Sequence, residues 1–228
     1  MSFKKSVPFK YSLNYEKIYN ILIVLFLFSN LGQAQEKKVF DKKTGLGFVP
    51  QYTFSGGLRM DIDLSISKTS SQWLIISPQV YWVTGYRYGH DFESLKGIGM
   101  DVKHKIYLKP GSMDPEGFYV QYGAMAQYFS IVDSRQYGEY YEENGVIYYG
   151  VSEGEIETRL LKLGGNFHLG YQWLFGQRVY LDVYSGPGIR ISHNNRNEGF
   201  DTWYNNSWVD YGYSGTLLDA GFRLGFYF

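Results

Sequence analysis

The stretch from Thr216 to Phe228, TLLDAGFRLGFYF, sorts cleanly by every second position. Leu218, Ala220, Phe222, Leu224, Phe226 and Phe228 fall on one side, and Leu217, Asp219, Gly221, Arg223, Gly225 and Tyr227 on the other. A period of two is the signature of a β-strand, here with one apolar and one mixed face. An aromatic strand at a chain end would fray into water unless both its edges were paired, and a closed barrel in a bilayer provides that pairing. The expectation is a closing strand of a transmembrane β-barrel.

Composition fits that expectation. The chain has 228 residues, 44% of them hydrophobic, and a mean hydropathy of −0.29. That excludes a helical membrane bundle but not a barrel, in which only alternate residues face lipid. Aromatics make up 19% and glycine contributes 27 residues, a balance that suits strands and tight turns. With no cysteine there is no disulfide, no thiolate metal site, no cysteine nucleophile and no lipid-attachment cysteine of a bacterial lipoprotein. No cofactor or metal is expected, since four histidines offer no ligand spacing.

The N-terminus carries lysines followed by the apolar run ILIVLFLF, Ile21 to Phe28, and then Gly32 and Ala34 in small-residue cleavage positions. The run is too short for the roughly 20 residues of a spanning helix. It reads as a secretory signal peptide over residues 1–34, followed by a short lead, 35–44, and a barrel domain, 45–228. Removing the leader takes four lysines and one glutamate from totals of 22 and 22, leaving 18 basic and 21 acidic residues. That balance excludes a nucleic-acid binder.

Working back from the terminal strand, seven further segments alternate, each with a row of apolar residues on one face. They are 45–54 (Leu46, Phe48, Tyr52, Phe54), 57–67 (Leu58, Met60, Ile62, Leu64, Ile66), 73–83 (Leu74, Ile76, Val80, Trp82) and 98–108 (Ile98, Met100, Val102, Ile106, Leu108). Then come 117–129 (Phe118 through Tyr128), 159–174 (Leu161, Leu163, Phe167, Leu169, Tyr171, Trp173) and 179–191 (Val179, Leu181, Val183, Ile189, Ile191). The fold class is all-β: an eight-stranded antiparallel transmembrane up-and-down barrel with short periplasmic turns and long external loops. Connector lengths alternate accordingly. Lys68 to Gln72, Lys109 to Glu116 and Phe175 to Arg178 are short, whereas Thr84 to Gly97, Ser130 to Thr158 and Ser192 to Gly215 are long. The first link, Ser55 to Gly57, reads as a tight hairpin and breaks the pattern.

The opposite faces of these strands carry Arg59, Asp61, Asp63, Asp101, Lys103, Lys105, Lys162, His168, Asp182, Arg190, Asp219 and Arg223. Eight strands enclose room for side chains only. A lumen lined by nearly balanced charges is expected to fill with ion pairs, giving a polar plug rather than a pore. Trp82 and Tyr128 are expected in an outer aromatic girdle, and Phe118, Tyr171, Trp173, Phe226 and Phe228 in an inner one. His104 shares the parity of the apolar face, and a bulge or a lumenward shift is the expected remedy.

The terminal motif Asp219, Gly221, Leu224, Phe226, extended to Phe228, resembles the recognition signal read by outer-membrane assembly machinery. The alternating pattern over 45–228 resembles the small eight-stranded OmpA/OmpX-like barrel superfamily. The segment KHKIYLKPGSMDPEGF, Lys103 to Phe118, is similar to uncharacterised outer-membrane barrels of Bacteroidetes-type bacteria. The resemblance implies an integral location in a bacterial outer membrane, with its lipid and the assembly machinery as partners, and it carries no catalytic residues over.

Two stretches are candidates for surface binding of a protein or glycan. Asn144-Gly145, between Tyr140, Tyr141 and a second tyrosine-rich run, is a strong hairpin signal, so the flanking strands are expected to continue as a protruding ribbon. Its glutamates make it acidic. The last long loop interleaves asparagines with Trp203, Tyr204, Trp208, Tyr211 and Tyr213, suited either to binding or to capping the barrel. The expectation is a non-enzymatic barrel acting through these loops in adhesion, surface interaction or envelope integrity. The alternatives are a lipid-modifying enzyme with Ser192-His193 or His90-Asp91 at its rim, a small-solute channel, or a secreted lipocalin-like barrel with its polarity reversed.

Overall fold

The computed structural model describes residues 40–228 apart from 69, 88–89, 109–113, 177, 196–203 and 205–206; for 86–87, 90–92, 134–139, 143, 152–153, 156 and 195 it describes the backbone alone. The signal peptide assigned to 1–34 and residues 35–39 of the lead lie outside the described residues.

Eight antiparallel strands close on themselves in chain order: β1 (Thr44–Phe48), β2 (Gly57–Ser65), β3 (Gln72–Arg87), β4 (His90–Tyr107), β5 (Gly117–Glu143), β6 (Val146–Phe175), β7 (Val179–Asn195) and β8 (Gly215–Tyr227). The terminal strand does close the barrel, pairing β8 with β1 from Gly45 opposite Tyr227 to Phe48 opposite Leu224. In β2 to β8 every residue that alternation assigns to the apolar side is exposed or half-exposed, while its strand neighbours are largely buried. Outward residues form an apolar belt that includes Ile98, Leu163, Phe167, Leu169, Ile191 and Phe222.

The first strand differs from expectation. It stops at Phe48, not residue 54, because Pro50 has no N–H to give the ladder and sits at φ −61°, ψ −32°. A single helical turn follows, α1 (Gln51–Phe54). Phe54 remains exposed, but Tyr52 turns into the barrel mouth, where its hydroxyl accepts a 2.9 Å hydrogen bond from Arg59 Nη1. The first link is therefore 49–56 rather than a tight hairpin.

One of the three long connectors, 84–97, is corrected, and 130–158 is the paired extension that Asn144-Gly145 predicts. Strands β3 and β4 stay paired as far as Arg87 opposite His90, and β5 and β6 as far as Glu143 opposite Val146. What alternates is strand overhang, not loop length, since the turn end keeps the short links 66–71, 108–116 and 176–178. The third long connector separates the end of β7 at Asn195 from the start of β8 at Gly215.

His104 needs no bulge. Registers run unbroken through it on both sides, and the irregularity in β3 lies instead at Val83 to Gly85. The ring stays outward, with Nδ1 2.8 Å from the Tyr122 hydroxyl and the two rings edge to face at 5.4 Å.

Inside, two clusters of rings bracket the middle of the barrel. Phe40, Trp73, Tyr107, Tyr119, Tyr180, Tyr184 and Tyr227 fill the turn end, and Tyr81, Phe129, Tyr204 and Tyr211 with Val83, Leu95, Ile131 and Leu160 fill the loop end. Inward glycines make room for these rings. A Cβ on Gly225 would lie 2.4 Å from the Tyr180 ring, and one on Gly170 2.3 Å from Tyr119. The glycine content thus serves packing across the lumen as well as turns.

Candidate functional site

Closure of the barrel brings the predicted lumen charges into one network. Arg59 Nε meets Asp61 at 2.7 Å and its Nη1 meets Asp101 at 2.9 Å, with Lys103 3.4 Å from the same Asp101. Arg223 spans Asp63 at 2.8 Å, Asp61 at 3.2 Å and Asp182 at 2.6 Å, and Lys105 completes the chain at 2.7 Å from Asp182. Four cations therefore balance four aspartates, all buried. Neutral groups take up remaining lone pairs: Tyr119 donates to Asp182, Tyr180 to Asp63 at 2.8 Å, and Gln79 to Asp101 at 2.7 Å. A buried ion network tolerates desolvation only when its geometry and extra hydrogen bonds are this complete.

The other predicted lumen residues sit nearer the loop end. His168 is fully buried, 3.1 Å from Asp219, while Arg190 reaches Asp219 at 3.6 Å and donates to the Gly165 carbonyl at 3.0 Å. Asp219 is half-buried. Of the terminal residues that resemble an assembly signal, Asp219 and Gly221 point inward and Leu224, Phe226 and Phe228 outward. Sequence reasoning missed the inward rings as a class, although they share the parity of the charges.

The protruding ribbon is present as expected. Asn144 and Gly145 have φ of 51° and 77°, the pair of positive values a two-residue hairpin turn demands. Pairing of β4 with β5 ends at Ser94 opposite Val132, and pairing of β6 with β7 begins at Arg159 opposite Asn195. From Asp133 opposite Ile156 to Glu143 opposite Val146 the two strands run alone. At ~3.3 Å per residue this projects about 35 Å. Tyr140 and Tyr149 pair at 5.1 Å on one face, and Tyr141 and Tyr148 stack at 5.4 Å on the other, all four exposed. At the ribbon's root, hydrogen bonds from Arg159 and Ser130 hold the Glu157 carboxyl below its ordinary range.

The last loop divides. Trp208 is exposed, but Tyr204 is buried at 3% exposure in the ring cluster and is not a surface-binding residue. It belongs to a cap: Gly212 N–H donates to the Tyr204 carbonyl at 2.8 Å, and Tyr211 hydroxyl donates to the Ser55 carbonyl at 2.7 Å, latching this loop to the 49–56 link. Trp203 lies outside the described residues.

Of the rim residues weighed for catalysis, Ser192 and His193 do not meet. Ser192 Oγ donates to the Tyr213 carbonyl at 3.1 Å, and adjacent His193 is exposed on the opposite face. The side chains of His90 and Asp91 lie outside the described residues. Among the described residues no group of three or more His, Asp or Glu is arranged to hold a metal.

Fold and site together define a closed eight-stranded β-barrel with an ionic centre, ring clusters at both ends and one long two-stranded projection. No protein-family model matches the sequence, and no curated protein matches it significantly.

Proposed function

We propose that this chain is an integral up-and-down barrel of a bacterial outer membrane, with a sealed, non-conducting and non-enzymatic lumen, acting through the β5–β6 ribbon in contacts with a surface protein or glycan. The observation that carries the membrane reading is the polarity of the wall: apolar outward residues on every strand around a charged interior. A soluble barrel has the reverse arrangement. On this reading the outward rings Trp82 and Tyr128 mark one interface, and Phe118, Tyr171, Trp173, Phe226 and Phe228 the other. The terminal residues Asp219, Gly221, Leu224, Phe226 and Phe228 would be read by the assembly machinery.

A facing test separates the readings. In lipid vesicles Leu163→Arg is expected to cost roughly 2–4 kcal/mol by denaturant titration, the usual penalty for a charge at mid-bilayer. Asn166→Leu is expected to be neutral or stabilising, because Asn166 is buried with neither amide atom partnered. Equal costs at the two sites, or recovery of the folded chain from aqueous extract without detergent, would sink the membrane reading.

The ribbon supports the surface role. Its sequence from Asp133 to Thr158 holds seven acidic residues against one arginine, and its tyrosines offer broad contact area on both faces. Excising 135–154 and joining Ser134 to Glu155 through Asn-Gly should leave the barrel's unfolding midpoint unchanged, since those residues pair only with each other. Adhesion of expressing cells to protein- or glycan-coated surfaces should fall to background. Undiminished adhesion would remove the ribbon from the function.

A further inference from the structure

At the loop end the barrel holds a cavity of about 300 Å³, walled by Tyr52, Tyr81, Phe129, Trp208 and Tyr211. That is the lower end of the range for small-molecule sites. Lys162 lines it and is only 9% exposed. Its ammonium makes one long hydrogen bond, 3.4 Å to the Asp210 main-chain carbonyl, and sits 5.8 Å from the centre of the Phe129 ring. No carboxylate lies within ion-pair distance of it among the described residues.

The other lumen cations are treated differently. Arg59, Lys105 and Arg223 each meet aspartates below 3 Å, and Lys103 and Arg190 reach theirs at 3.4 and 3.6 Å. The acid groups on this cavity stand off from the ammonium: Asp219 meets His168 and Arg190, and Asp210 takes the Ser207 N–H at 2.8 Å and acts on Lys162 only from beyond ion-pair distance. A buried ammonium without a counter-charge is costly, and chains usually pair it or replace it. Here an ammonium with no carboxylate within ion-pair distance among the described residues faces an open cavity of rings.

We propose that this cavity binds a small aromatic anion, a carboxylate or phosphate ester on a flat ring, with Lys162 Nζ pairing the anionic group and Tyr81, Phe129 and Trp208 packing the ring. The site is separate from the ribbon and does not rest on the ribbon's surface role. Ring contact gives area, and the single ammonium gives the preference for negative charge.

The test is equilibrium dialysis of the full chain, refolded in detergent micelles, against labelled benzoate, phenyl phosphate, benzamide and benzylamine, with empty micelles as the blank. Benzoate or phenyl phosphate is expected to bind saturably at one site, and the tighter of the two assigns the anion. Benzamide and benzylamine should bind at least tenfold more weakly. Lys162→Met should lose tenfold or more of the anion affinity while unfolding no earlier than the parent, and Lys162→Arg should retain it. A structural lysine would behave oppositely, with Lys162→Met unfolding earlier. Absence of saturable binding by either anion, benzamide binding as tightly as benzoate, or Lys162→Met keeping its affinity would overturn the proposal.

Discussion

Arg223→Met is expected to destabilise the barrel by about 3–5 kcal/mol, read as a shift in the denaturant midpoint of the refolded protein. The size follows from what the guanidinium holds. It is 2% exposed and contacts Asp61 and Asp63 from β2 and Asp182 from β7. Removing it leaves three buried carboxylates with fewer counter-charges. Asp61 still has Arg59 and Asp182 still has Lys105, but among the described residues Asp63 keeps only the hydrogen bond from the Tyr180 hydroxyl. Arg223→Lys should recover part of the loss at most, because a point charge on a flexible stem cannot span three acids as a planar fork does. A cost under about 1 kcal/mol for the methionine variant would show that the network adds little to the folded state.

Tyr180→Ala is the second large effect, about 3–5 kcal/mol, as for other buried rings truncated to alanine. The ring has no exposed surface and stands 4.8 Å from that of Tyr227. It also covers Gly225 of β8 and Gly47 of β1, where a Cβ would come within 2.4 and 2.5 Å of it. Its loss opens a cavity where the barrel closes and where the β1–β8 seam is short, so local relaxation cannot fill it. Tyr180→Phe keeps the ring and forfeits one hydrogen bond to a charged partner, about 1.5 kcal/mol. If alanine and phenylalanine cost the same, the hydroxyl rather than the packing would be the source of the effect.

Both variants act on contacts that no linear pattern displays. Alternation in β8 places Arg223 on the inner wall, and the same rule places Asp61, Asp63 and Asp182 there. Nothing in that rule says which inner residues meet across the lumen. Arg223 is 160 positions from Asp63, and only barrel closure sets them 2.8 Å apart.

The departures from expectation have similarly local causes. Pro50 is a visible stop signal inside the first segment, yet Tyr52 and Phe54 keep the alternation going on paper. Residues 84–97 read as a loop because strands that overhang the barrel wall have no reason to alternate apolar with polar, whereas Asn144-Gly145 marks 130–158 as paired. Tyr204 looks like a binding residue because composition does not say whether a loop ring faces out or caps what lies beneath it.

By itself, then, the sequence determined the number of strands, the face each side chain takes in β2 to β8, the identity of the inner charges and the turn at Asn144-Gly145. Those are properties of a two-residue period and of short-range backbone sterics, and both are written in neighbouring residues. Tertiary structure alone decided how the charges pair, which rings stop the two ends, how far β5 and β6 project, and that Lys162 faces a cavity with no carboxylate within ion-pair distance among the described residues. Each of these depends on distances between strands far apart in the chain, and such distances exist only once the sheet has closed.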